Sequence, residues 1–389
     1  MATFFWGVSV GLISATLPFR FQQLGIPIFA YGLTLGVYAA GALATESVWG
    51  ALAFHLGRPP TIVGLGVIVG GATLLLAFAT TLLVFLVAIS LLGAVGVFLA
   101  PLLRWVAFGS GGPGSEGRGA GRWSAAFGLG IALGVTVGPL EFVTYGFHSV
   151  ALTSIVMLAV AVGAAATLPW SRAALPSADR GQRRALSSLV TPPFLLSLGM
   201  VTIAFTAMTF TTNFLQYYSI VVYGGTPPEA GFVLGAARIV MLVASLLLGT
   251  LVDRWARGRS IPAGFVLVLL GALATWASRS YDEMIGATLV FSAGIGWLFA
   301  SMLPFALSSV PRDHQGTAIG VFGSVEDLGL LIGPLVFGAV WAAFGPTGIF
   351  PVVTALAGVG VVVSLLVYLP DRGMAPPVAA SVQAGRDPD

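Results

Sequence analysis

The chain contains no cysteine and no lysine, and only three histidines among its 389 residues. Without thiols there are no disulfides, no thiolate-held metals and no cysteine nucleophiles. Without lysine there is no phosphate-loop Lys, so ATP-driven work by this chain alone is not expected. His55, His148 and His314 stand near three different helix ends, with no ligand spacing between them. No His-Glu-x-x-His occurs, and no span pairs a His with Asp or Ser at catalytic spacing, so an intramembrane hydrolase is not expected and no cofactor is implied. Charge is scarce as well. Asp, Glu and Arg together make 8% of the residues, against about 25% in a soluble domain.

What is present is apolar length. Hydrophobic residues make 57% of the chain, in runs of about 20 residues, the length at which a helix crosses a bilayer core. Twelve helices are predicted, at about 3–22, 29–53, 61–80, 83–104, 123–144, 149–169, 194–219, 228–252, 260–278, 282–308, 316–343 and 348–369. The expected fold class is therefore an all-α integral membrane protein. The first run, Thr3 to Leu17, has no basic segment ahead of it and no small-residue cleavage site, so it reads as a retained span. The longest polar interruption holds Arg172, Asp179, Arg180, Arg183 and Arg184. It divides the chain into a half at 1–170, a linker at 171–193, a half at 194–370 and a Pro- and Ala-rich tail at 371–389, expected to be disordered.

The net charge of +3 matters less than its distribution. With the N-terminus inside, Arg58, Arg104, Arg118, Arg122, Arg172, Arg180, Arg183, Arg184, Arg254, Arg257, Arg259, Arg312, Arg372 and Arg386 collect on the cytoplasmic side. Only Arg20 and Arg279 fall outside, and Arg238 lies within a span. Arg-rich loops stay cytoplasmic. The sequence thus predicts both termini inside a plasma (inner) membrane, with the bilayer and a small molecule as partners, no nucleic acid, and a monomer.

The two halves repeat. Phe127-Gly128, Gly134 and Gly138-Pro139-Leu140 in helix five parallel Phe322-Gly323, Gly329 and Gly333-Pro334-Leu335 in helix eleven. Gly50-Ala51-Leu52-Ala53 parallels Gly249-Thr250-Leu251-Val252. A two-half repeat suits a transporter with a midplane site between the halves. The glycines at small-xxx-small spacing are most simply close-packing devices. Gly112-Pro113-Gly114-Ser115-Glu116-Gly117 spells a dinucleotide fingerprint, but it comes after a membrane span rather than a strand and reads as a loop.

On these residues the chain resembles the major facilitator superfamily over nearly its whole length. That family's loop signature, Gly-x-x-x-Asp-Arg-x-x-x-Arg, stands after helix eight at Gly249, Asp253, Arg254 and Arg257. After helix two Gly50, Gly57 and Arg58 remain, with Phe54 where the family has Asp. The run Gly130, Gly134, Gly138-Pro139 is similar to the family's antiporter signature; Glu141 lies near its missing final glycines, and the antiporters' helix-four Arg is absent near Ile89. The resemblance implies two pseudo-symmetric six-helix halves that rock about a central cavity, with Gly138-Pro139 and Gly333-Pro334 at gating positions.

Ionisable residues within spans are costly, about 2.5–3.5 kcal/mol each, and are functional candidates or structural ion pairs. They are Glu46, Glu141, Arg238, Glu326 and Asp327, with Arg20 at the outer end of helix one. Arg238 and the Glu326-Asp327 pair lie near the midplane, so Arg238 is expected to pair with Glu326 or Asp327, or with Glu141 across the halves. Asp327, off the glycine stripe, is the first candidate for proton coupling, followed by Glu46 and Glu326. In helix seven Thr202, Thr206, Thr209, Asn213 and Gln216 step along one face, closed by Tyr217 and Tyr218. That face is expected to line the substrate path against aromatics such as Trp297 and Phe210, polar helix packing being the alternative. These readings favour a proton-coupled exporter of a hydrophobic or amphipathic compound. A symporter or facilitator for a neutral solute such as a sugar is the alternative, and a non-transporting receptor a minor one.

Overall fold

The structure, a computed structural model, describes residues 1–56, 59–109, 116–168, 191–254, 257–308, 310 and 315–368. Its twelve candidate spans are all helical. The first half holds α1 (Ala2–Gln23), α2 (Ile28–Leu56), α3 (Pro59–Ala77), α4 (Leu82–Gly96 and Leu99–Gly109), α5 (Glu116–Tyr145) and α6 (Phe147–Ala166). The second holds α7 (Pro192–Thr209 and Leu215–Tyr223, joined by a π turn at Phe210–Phe214), α8 (Pro227–Arg254), α9 (Arg257–Ala277), α10 (Tyr281–Ser308), α11 (Gln315–Phe344) and α12 (Ile349–Tyr368). The predicted linker and tail lie outside the described residues.

Large apolar side chains cover the outside. Val67 is 68% exposed, Leu83 71% and Phe232 67%. In water such a surface would be unstable; against lipid tails it is the solvated one, and helices satisfy their backbone internally there. An even number of spans returns the chain to the face where it began, called here the terminal side.

The repeat is visible in the backbone. Among the described residues four glycines have left-handed φ: Gly25 between α1 and α2, Gly146 between α5 and α6, Gly224 between α7 and α8, and Gly345 between α11 and α12. The two members of each equivalent pair stand equally far apart in the chain (224 minus 25, and 345 minus 146). These turns demand a residue without a Cβ penalty. All four lie on the side opposite the termini.

Glycines also set the helix spacing. A Cβ at Gly134 would lie 2.9 Å from Gly11 Cα and 2.8 Å from Leu12 N, so the stripe Gly130, Gly134 and Gly138 of α5 presses on the backbone of α1. In the second half a Cβ at Gly329 would lie 2.6 Å from Phe205 Cβ and 3.0 Å from the Thr202 carbonyl, so the equivalent stripe of α11 presses on α7. Small residues substitute close backbone packing for the hydrophobic force that lipid removes.

Helix four departs from prediction. It breaks after Gly96, where the Phe98 amide turns to the Val95 carbonyl and leaves the Ala94 carbonyl without its ordinary helical donor. Thr45 Oγ1 (2.8 Å) and Trp49 Nε1 (2.6 Å), both on α2, donate to it instead. The break re-aims the second piece of α4 and brings Arg104 to α2.

Candidate functional site

The halves meet along three helix pairs. On the side opposite the termini, α2 closes on α11: a Cβ at Gly32 would lie 3.0 Å from Gly338 Cα, and one at Gly36 would lie 2.6 Å from Leu335 Cδ2. At the same level α5 closes on α8, with Gly231 against Pro139 and Gly235 against Thr136. Between them α1 and α2 meet α7. The buried Tyr31 hydroxyl donates to the Asn213 carbonyl (3.1 Å) and Gln216 Nε2 donates to the Ser14 carbonyl (3.3 Å). Tyr31 also packs edge-on against Phe214. Toward the terminal side, α4 and α10 make no comparable contact across the halves among the described residues. Among the described residues, the contacts between the halves are thus concentrated toward the end opposite the termini.

A charged cluster stands at the α2/α11 seam, toward the terminal side. Arg104 donates from Nη1 to Glu46 Oε1 at 3.1 Å, and its guanidinium lies 4.6 Å from the Trp123 ring centroid. The Glu46 carboxyl group lies close enough to Asp327 of the other half to share a proton with it. Glu326 lies within electrostatic range of Glu46 and Arg104, and Tyr38 within range of Glu46 and Asp327. On α11, Asp327 shares the face of Pro334 and Gly338, which meets α2. Glu326 points about 100° away, toward the side of Gly329 and Gly333, which meets α7. One arginine thus sits among three carboxyl groups drawn from both halves.

Several expectations are corrected. Arg238 pairs with none of the carboxylates expected for it: among the described residues the one ion pair is Arg104–Glu46, and Arg238 Nε is buried with no hydrogen-bond partner. Asp327 lies on the α2 flank instead, and Glu326 lies within electrostatic range of the same Arg104–Glu46 pair. Glu141 accepts from Ser149 Oγ and Thr153 Oγ1, both at 2.6 Å, within its own half. Arg20 lies 5.7 Å from the Phe147 ring centroid, at the far end of α1.

The helix-seven stripe is split. The π turn inserts an extra residue per turn between Thr209 and Leu215 and rotates the remainder of the helix. Thr206 and Thr209 are buried. Thr206 Oγ1 donates to the Gly329 carbonyl at 3.4 Å, and Thr209 fills the notch at Gly333. These two are packing residues here, held between α7 and α11. Thr202, half-buried, returns its hydroxyl to the Leu198 carbonyl. Asn213 and Gln216 instead hold the closed end, and Tyr217 stacks near Trp341. Phe210 is fully buried against Phe291 and Phe350. Trp297 shares the α10 face of the exposed Gly286, Val290 and Pro304, which looks outward. Phe299, on the opposite face, is 39% exposed and stacks on Phe205 of α7 at 4.8 Å.

Gly138 packs on Leu12, Pro139 on Gly231, and the Pro334 carbonyl faces Gly32. The side chains of Gly249, Asp253, Arg254 and Arg257 lie outside the described residues, as do those of Gly50, Phe54, Gly57, Arg58 and the 112–117 segment.

The sequence pattern does not single out Arg104, which reads as a loop arginine, or Tyr31, Tyr38 and Phe299. Arg104 has one signal: Leu99–Gly109 is the amphipathic piece of an otherwise uniformly apolar helix, with its charge on one face.

Known proteins agree with this architecture. The structure superposes on the nucleoside transporter NupG with a TM-score of 0.75 at 16% identity, covering 94% of this chain and 96% of that one. It superposes equally well, TM-score 0.75 at 14% identity and 94% of both chains, on a bacterial homolog to the human lysosomal transporter Spinster. The uncharacterized MFS-type transporter MJ1560 of Methanocaldococcus jannaschii is 20% identical over 87% of this chain and 89% of its own length. The riboflavin transporter RibZ of Clostridioides difficile is 27% identical over 31% of this chain and 26% of its own length. The multidrug resistance protein Stp of Mycobacterium tuberculosis is 29% identical over 34% of this chain and 25% of its own. This chain thus matches only about a quarter of each of those last two relatives. The family model described as Major Facilitator Superfamily matches residues 1–226 and again 218–387, and with this fold and these matches the chain belongs to the Major Facilitator Superfamily.

Proposed function

We propose that the protein is a secondary active transporter that works by alternating access and couples proton movement to export of a hydrophobic or amphipathic small molecule. The observation that carries the coupling is the contact of Glu46 with Asp327 across the halves, with Arg104 on the same carboxyl group. A carboxyl group whose partners and exposure change between two states can load a proton in one and release it in the other. Rocking the halves would change the surroundings of Glu46 and Asp327, so their protonation and the conformation would be linked. The names of two relatives support export: Stp is called a multidrug resistance protein and a Streptomyces coelicolor relative a probable actinorhodin transporter.

The test is flux of a fluorescent amphipathic dye in proteoliposomes under an imposed pH gradient. Accumulation that tracks the gradient is expected; flux indifferent to it would remove the coupling and leave a facilitator.

The same reading places both termini in the cytoplasm, from the arginine asymmetry, so the end at which α2 meets α11 through Gly32 and Gly338 faces outward. The native chain lacks cysteine, which makes this simple to check. Ser177→Cys and Ser280→Cys are expected to respond oppositely to an impermeant thiol reagent on intact cells. Labelling of the Ser177→Cys protein from outside would reverse the orientation.

A further inference from the structure

Arg238 is a cation near the middle of a span, and its surroundings say what it lacks. Gly231, Gly235 and Leu242 on one side of α8 meet α5; Met241 and Ala244 on the other meet Gly296 of α10. The lipid face carries Phe232, Ile239, Val243 and Leu246, all exposed. Helical stepping puts Arg238 between the two packed faces and away from lipid, in line with Ser245. Arg238, Met241 and Ser245 face inward yet are only half-buried. Arg238 and Ser245 thus lie on the side of α8 turned away from lipid, between its contacts with α5 and α10.

The candidate counterions are engaged elsewhere. Glu46 holds Arg104 and touches Asp327. Glu326 lies in the field of Arg104. Glu141 is held by Ser149 and Thr153, and Glu229 by Thr226 at the mouth of its helix. No aromatic ring covers Arg238 among the described residues, whereas Phe147 lies near Arg20. A guanidinium in low dielectric without a partner is expensive to keep, and its planar fork matches an oxyanion.

We propose that Arg238 is the recognition group for an acidic substituent, a carboxylate, sulfonate or phosphate, on the transported molecule. The substrate is then an amphipathic organic anion whose charge completes the site on the α8 flank, while Asp327 and Glu46 work on the α2/α11 flank. This rests on the reading that the space between the halves is the substrate path.

The test uses the purified full chain and four probes on one scaffold: naphthoate, naphthalenesulfonate, naphthyl phosphate and the neutral naphthamide. Thermal stabilisation is titrated against each. At least one acid is expected to bind about tenfold or more tightly than the amide, and the preferred acid names the oxyanion. Arg238→Gln is expected to lose that preference, Arg238→Lys to keep part of it, and neither to lower the melting temperature without ligand. No difference between acids and amide, whether all bind or none does, overturns the proposal. So does an acid preference that survives in Arg238→Gln. A ligand-free loss of stability in Arg238→Gln would make the residue structural and overturn it too. Flux of the preferred acid in proteoliposomes separates the two readings. Arg238-dependent binding without flux sinks the transport reading alone, and flux without acid preference sinks this one alone.

Discussion

Asp327→Asn is expected to fold and bind substrate normally and to lose gradient-driven transport, down to the level of empty proteoliposomes. Asn has the size of a protonated Asp and can donate to Glu46 as the protonated acid does, but it cannot release a proton. The variant therefore mimics the loaded state permanently. The contact that Asp327 makes with Glu46 across the halves is then available at every stage of the cycle, and the conformational change is cut loose from the gradient. Exchange of substrate down its own gradient, which needs no net proton movement, is expected to persist. The measurement is paired: flux with and without an imposed pH difference, on protein whose melting temperature matches the parent. Unchanged gradient-driven flux would remove Asp327 from the mechanism. Loss of both kinds of flux would assign it to substrate binding or folding instead.

Adding one methyl group at two glycines is expected to have opposite consequences. Gly134 packs within the first half, where a Cβ would meet the backbone of α1 at Gly11 and Leu12. That contact exists whichever way the halves rock. Gly134→Ala is therefore expected to cost stability directly, by about 1–3 kcal/mol as for other overpacked sites, and to lower the melting temperature. Gly32 packs between the halves, against the Pro334 carbonyl and Gly338 of α11. Only the state closed at this end contains that contact, so only that state bears the cost. Gly32→Ala is expected to move the population toward the state open opposite the termini by about tenfold, with little change in melting temperature. Alkylation of a cysteine at Asn213, which lies in the closed end, reports the shift. Faster labelling of Asn213→Cys in the Gly32→Ala background, but not in Gly134→Ala, is the expected pattern. Equal labelling in both would mean that α2 and α11 do not separate during the cycle.

The order and length of the spans, the two-half repeat and the close-packed glycine stripes come from the chain alone. Each rests on a property local to one helix: an apolar run as long as a bilayer core, a Gly-Pro motif repeated at a constant offset, or a periodic absence of side chains. Gly130, Gly134, Gly329 and Gly333 do what small-residue spacing implies, because a helix without side chains on one face can only be approached closely there. Local pattern does not contain the partner that each polar side chain meets. The break in α4 that turns Arg104 onto Glu46 depends on a carbonyl satisfied from α2. The π turn in α7 divides a stripe that an unbroken helix would have kept on one face, sending Thr206 and Thr209 to α11 and Gln216 to α1. Trp297 and Phe299 are two residues apart, and only the packing of α10 on α7, α8 and α9 decides which of them looks inward. Arg238 is expected from sequence to find a carboxylate, because unpaired charge is costly in a membrane. The tertiary structure places the intramembrane carboxyl groups beyond its reach, because charge neutralisation is settled by which helices become neighbours, and a one-dimensional pattern does not contain that adjacency.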